Sequence, residues 1–163
     1  MTQTVCILTS GIGSRMHHLG KLYNKAILPY KNKALISHIF NQFSNSTQFI
    51  ISLGYKSEQV VSYIKLAHPE KLNFIHFVHV KNYNGPGSSP GFSLLQCKKH
   101  LMRPFIFTSC DTILDGRVSF NSKINWAAVS KVEKKISKDY CNFEIIKNKI
   151  TNYSEKKKYT KFN

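Results

Sequence analysis

Apolar residues along this chain fall into short continuous runs that alternate with stretches of helical spacing. Val5-Cys6-Ile7-Leu8 enters Thr9-Ser10-Gly11, which predicts a buried strand over 4–9. Gln48-Phe49-Ile50-Ile51-Ser52-Leu53, stopped by Gly54, predicts a second strand; residues 73–80 predict a third, and 104–109, ending at Asp111, a fourth. Between these runs the period changes. Leu35, Ile36, Ile39, Phe40 and Phe43 form one helical face within 34–43, and Val60, Val61, Ile64 and Leu66 form another behind Ser57-Glu58. Residues 92–101 predict a further helix, 15–24 a basic loop, and Asn84 to Gly91 a turn-rich loop of Gly, Pro and Ser. Strand and helix in alternation predict an α/β fold, a Rossmann-like, mostly parallel sheet flanked by helices. After Asp111 the pattern changes to strands expected over 126–132 and 140–146, with a hairpin arm starting at 149–153.

Length and composition narrow this picture. A chain of 163 residues suits one domain, expected over 1–163. No apolar run approaches the ~18 residues of a membrane span, and no basic segment precedes the first apolar stretch, so neither a membrane segment nor a signal peptide is expected. Cys6, Cys97, Cys110 and Cys141 are widely spaced with no C-x-x-C pair, the pattern of reduced thiols in a cytoplasmic protein. The net charge of +16 favours polyanionic partners. Basic residues are scattered, and their densest group, Lys156-Lys157-Lys158 with Lys161, reads as a solvated run. The chain also lacks RNA- and DNA-binding motifs, which argues for a nucleotide over a nucleic acid.

The candidate chemistry starts at the first strand. Leu8, Ser10, Gly11, Gly13 and Ser14 lead into Arg15, and Lys25 follows ten residues after it. Absent side chains at Gly11 and Gly13 let backbone N–H groups approach phosphate oxygens, and Arg15 and Lys25 bring positive charge to departing pyrophosphate. The motif is neither G-x-x-x-x-G-K-[ST] nor G-x-G-x-x-G, since residue 16 is Met. Open parallel sheets take ligands beyond the carboxyl ends of their strands. The segment Ser10 to Arg15, the loop 84–91 and Asp111 all sit at such ends. Asp111 directly after a buried run can hold Mg²⁺ against phosphate oxygens, or else serve as a cap beside Thr112. His17-His18 read as solvated loop residues.

Gly-x-Gly-Ser-Arg followed by Lys25 resembles the signature of the sugar-1-phosphate nucleotidylyltransferase family, Leu-Ala-Ala-Gly-x-Gly-Thr-Arg and then Pro-Lys. Here Thr9-Ser10 stands for Ala-Ala, Ser14 for Thr and Asn24 for Pro. The resemblance runs from about residue 3 to 156. It implies transfer of a nucleotidyl group from an NTP to a sugar 1-phosphate, with release of pyrophosphate, for capsule or related surface-polysaccharide precursors. It implies catalytic roles for Arg15, Lys25 and Asp111, with Mg²⁺ on Asp111. Asn82, Gly87 and Ser88 would meet the base, and Tyr140, Glu155 and Lys156 the acceptor; Cys110 and Cys141 replace the family's glycines. Family members continue further and supply a second acidic metal ligand, so the chain is expected to lack that C-terminal portion. Two other readings stay open: a cytidylyltransferase acting on phosphocholine or another small phosphorylated acceptor, and a nucleotide-binding remnant without turnover. The NTP, the acceptor and any homo-oligomer are left open.

Overall fold

The computed structural model describes residues 3–114, 124–137 and 140–154. The chain divides into two compact units, Met1–Asn121 and Ser122–Asn163.

In the first unit the elements follow in chain order: β1 (Thr4–Leu8), a 3-10 turn (Ser14–Met16), α1 (His17–Leu22) and a second 3-10 turn (Lys25–Ile27). Then come β2 (Pro29–Tyr30), β3 (Lys33–Ala34), α2 (Leu35–Asn41), β4 (Gln48–Leu53), α3 (Ser57–Ala67), β5 (Ile75–His79), α4 (Pro90–Gln96) and β6 (Ile106–Ser109). A four-stranded sheet has the order β5-β4-β1-β6, and every pairing in it is parallel. Chain order therefore runs outward from β1 on one side and jumps to β6 on the other. The switch point lies between β1 and β6, where such sheets open a crevice at their carboxyl edge.

Both faces of the sheet are buried, which is why its strands read as continuous apolar runs. Val5, Ile7, Phe49, Ile51 and Leu53 point to one face and pack with Ile36, Ile39 and Phe40 of α2 and Val60 and Ile64 of α3. Cys6 and Ile50 point to the other, against Cys97 and Leu101, with Leu94 of α4 alongside. Each fully buried aliphatic or aromatic side chain contributes roughly 1.5–3 kcal/mol, so these two layers dominate the stability of the unit.

Three expectations change. Residues 17–22 form a short helix in place of a basic loop. Leu66, placed on the apolar face of α3 by spacing, is 84% exposed, because a residue two positions past buried Ile64 lies on the opposite side of a helix with 3.6 residues per turn. The helix expected over 92–101 ends at Gln96 and continues as a 3-10 turn, Lys98–His100. The small β2–β3 pair was not legible as strand. Its link, Lys31-Asn32, adopts φ of 43° and 63°, the left-handed pair of a tight hairpin.

In the second unit β7 (Asn142–Ile146) and β8 (Lys149–Ser154) form an antiparallel hairpin. Lys147-Asn148 turn it at φ of 47° and 60°. The strand expected over 126–132 is absent: those described residues form no regular element and are exposed.

Candidate active site

The end of β1 is pinned before the glycine turn begins. The Thr9 N–H donates to the Ser52 carbonyl at 3.2 Å, and the Thr9 hydroxyl donates to the same oxygen at 2.6 Å. Ser10 is buried, with its hydroxyl 3.1 Å from that of Ser93 on α4 and 3.4 Å from that of Ser52 on β4. Three serines thus join the first glycine loop, the second strand and the helix that follows the second glycine loop. Gly54 makes this possible: a Cβ there would lie 2.7 Å from the Ser10 carbonyl oxygen and 2.8 Å from the Tyr83 ring.

The turn itself uses Gly13 at φ 63°, a left-handed conformation that costs a non-glycine residue strain. Its carbonyl accepts the Met16 N–H at 2.8 Å. Gly11 and Arg15 are exposed, and so is Ser14. Arg15 sits on the 3-10 turn (Ser14–Met16) and forms no hydrogen bond or ion pair with another described residue. Leu8 closes β1 half-buried.

Lys25 and Asp111 are separated by 86 positions, and the fold brings them into contact: the ammonium donates to Asp111 Oδ2. Asp111 follows β6 and Lys25 follows the glycine turn after β1, so the pair sits at the switch point. Ser109 donates its hydroxyl to Asp111 Oδ1 at 2.6 Å and meets the Thr112 hydroxyl at 2.9 Å. Partial burial pushes the Asp111 carboxyl up. The hydrogen bonds from Lys25 and Ser109, with the charge of Lys25, outweigh that and hold it below the ordinary carboxylate value. Cys110 is buried beside it, and burial pushes its thiol up to about 12, so it fills space and stays protonated.

Lys25 is held by Asn24. The Asn24 side chain is 1% exposed and fully bonded. Its amide nitrogen donates to the Thr9 carbonyl at 2.9 Å and the Tyr55 carbonyl at 2.6 Å, and its oxygen accepts from Ala26 N–H at 2.9 Å. Its own backbone N–H donates to Gln59 Oε1 at 2.8 Å. Its φ of −69° is the angle a proline ring would impose, with ψ extended at 139°, so the backbone path into Lys25 does not need the ring.

The second loop is exposed from Lys81 to Gly87. Asn82 has φ 55°, and Gly85 and Gly87 both have φ 83°. Ser88 is turned into the loop: its N–H and hydroxyl both donate to the Gly85 carbonyl, at 3.1 and 2.7 Å. Gln96 clamps the backbone of Lys81 from both sides at 2.9 Å. Tyr140 belongs to the second unit and is 48% exposed. Glu155 and Lys156 lie outside the described residues.

No family model matches the chain. It is 26% identical over 161 residues to the bifunctional protein GlmU of Methanococcus maripaludis, covering 93% of this chain and 35% of that protein. GlmU of Methanococcus vannielii gives 26% identity over 156 residues, with 92% and 34% covered. The chain spans about a third of the length of these curated relatives. Among solved structures, UDP-glucose pyrophosphorylase complexed with UDP-glucose superposes with a TM-score of 0.55 at 19% identity, over 68% of this chain and 46% of that one. The likeness is one of fold, an α/β arrangement with a parallel sheet flanked by helices.

In this fold the donor set around Asp111 limits what metal could bind. Among the described residues no three His, Cys, Asp or Glu side chains gather. One part-exposed carboxylate with Ser109 and Thr112 hydroxyls beside it fits Mg²⁺ that arrives with a triphosphate, since Mg²⁺ takes one or two carboxylates and fills the rest with phosphate oxygens and water. It does not fit a cation caged by protein alone. The sequence pointed to Lys25 and Asp111. It did not reveal Asn24 and Ser109 as the residues beside them, or Ser52 and Ser93 as those that hold Ser10. Gly54 directly after a strand was the one available signal of a close approach.

Proposed function

We propose that the protein is a nucleotidyltransferase that moves a nucleotidyl group from an NTP to a sugar 1-phosphate. The observation that carries this reading is the meeting of Lys25 and Asp111 beside a glycine turn at the switch point of the sheet. The similarity to a pyrophosphorylase solved with UDP-glucose supports a nucleotide sugar as product. A phosphate oxygen of the acceptor attacks the α-phosphorus. The α-phosphorus bond to the bridging oxygen breaks, and pyrophosphate departs with that electron pair. The nucleophile is already ionised, so no strong base is required, and catalysis rests on alignment and charge neutralisation.

Backbone N–H groups of the turn from Gly11 to Ser14 would receive the triphosphate. Arg15, free of other described partners, would hold the β- and γ-phosphates. Lys25 would leave Asp111 for an α-phosphate oxygen, and the freed carboxylate would hold Mg²⁺. Bound there, Mg²⁺ neutralises charge on the phosphates. The open conformation of Asn82 and Gly87 suits a backbone edge that meets the base. The reaction belongs to the cytoplasm, where NTPs are made, and its product would feed surface-polysaccharide assembly.

The test is pyrophosphate release by the full chain with each NTP, Mg²⁺, and a panel of sugar 1-phosphates with phosphocholine added. The expected result is release with one NTP and one sugar 1-phosphate, lost on chelation of Mg²⁺. Asp111→Asn and Lys25→Met should each lower kcat by about 100-fold or more. Release with phosphocholine alone would reassign the acceptor. A folded chain that releases nothing with any pair would overturn the reading.

A further inference from the structure

A second polar cleft lies at the opposite edge of the same sheet. The strands are parallel, so the amino ends of β1, β4 and β5 share the edge remote from the glycine turn and Asp111. Register places Thr4 beside Gln48, and Ile50 between Cys6 on β1 and His76 on β5. The 3-10 turn Lys98–His100 and the residues after it cross this corner. The result is a cleft of about 170 Å³ whose polar lining is Thr4, Gln48, His76, Lys99, His100 and Arg103. Among the described residues no carboxylate lines it.

The imidazoles of His76 and His100 stack with centroids 5.0 Å apart and planes inclined by 20°. Two imidazoles beside a lysine and an arginine repel one another once protonated. Partial burial, then His76, then Lys99 hold the His100 pKa below its ordinary value. A compact anion would reverse the balance, since arginine meets phosphate oxygens with a two-pronged N–H fork. The Gln48 amide and Thr4 hydroxyl supply neutral donors next to it. The volume decides the size of the guest: pockets for nucleotide- or drug-sized ligands begin near about 300 Å³, whereas a single phosphoryl group needs far less.

We infer that this cleft is a second anion site, separate from the Lys25–Asp111 site, that takes one phosphate-type dianion through Arg103, Lys99 and the His76–His100 pair. Inorganic phosphate and a small phosphomonoester share the required chemistry.

The test is a proton NMR titration of the full chain, following the imidazole C2–H resonances of His76 and His100 as inorganic phosphate is added at constant ionic strength. Chloride is the control, and His→Gln variants assign the two signals. Phosphate should shift both signals to saturation and raise the titration midpoint of His100. Arg103→Gln, at an exposed position, should weaken the dissociation constant about tenfold, and Lys25→Met should leave it unchanged. Glycerol 3-phosphate in a parallel arm names the source. Tighter binding than phosphate assigns a monoester; equal or weaker binding assigns free phosphate. Shifts that chloride reproduces, that never saturate, or that survive Arg103→Gln overturn the site.

Discussion

Asn24 shows how one residue can keep a backbone path while changing the chemistry that holds it. Proline would fix its φ through a ring; Asn24 reaches the same angle through hydrogen bonds to Thr9, Tyr55, Ala26 and Gln59. Asn24→Leu removes the side-chain partners and leaves two buried carbonyls and an N–H unpaired, so it should cost about 2–4 kcal/mol, read as a lower urea midpoint. Asn24→Pro should also destabilise, since φ fits but the N–H to Gln59 is lost. The sequence presented Asn24 as a departure from a motif. Its role was invisible there because its partners, Tyr55 and Gln59, come from a distant turn and helix. Asp111 was legible because a charge next to a buried run demands a partner, and Lys25 because it follows the glycine turn at a fixed spacing from Arg15; that each is the other's partner was not.

At the scale of elements, two junctions decide the behaviour of the first unit. The first is the contact of the β4 end with the glycine turn. Gly54→Ala should overpack Ser10 and Tyr83, cost about 1–3 kcal/mol and displace the turn. The expected readout is a lower urea midpoint together with a raised KM for the NTP. The second junction joins α2 to the end of α3. There the Ser37 hydroxyl meets Tyr63 OH at 2.9 Å and His68 Nε2 at 2.7 Å. Burial holds the His68 pKa below 6.5, against an upward pull from Glu70. The unfolded chain therefore takes up this proton first, and stability should fall as pH drops below about 6.5. Urea midpoints at mildly acidic and neutral pH should show that loss, and His68→Gln should flatten it. The strands and the helices α2 and α3 were legible from period alone, because each buries one face or both. The 126–132 segment was not: an apolar run reads as strand only if another strand pairs with it.

For the whole molecule, 24 basic against 8 acidic residues set the long-range field. Triphosphate binding should weaken as salt rises, because charges beyond about 10 Å are screened at 0.1 M. Isothermal titration of an NTP across ionic strengths would measure it, and a salt-independent affinity would confine recognition to the immediate contacts. The sequence by itself determined the α/β class, the parallel strands and the loops that follow their carboxyl ends. These follow from local period, from glycine's freedom and from the cost of burying charge, all of which act within a few residues of chain. Only the tertiary structure decided that β6 lies beside β1, and with it that Lys25 meets Asp111. It alone decided that Ser10, Ser52 and Ser93 join two loops, and that His76 and His100 stack at the far edge. Strand order and register are set by how whole faces pack, and that energy belongs to no single segment of the sequence.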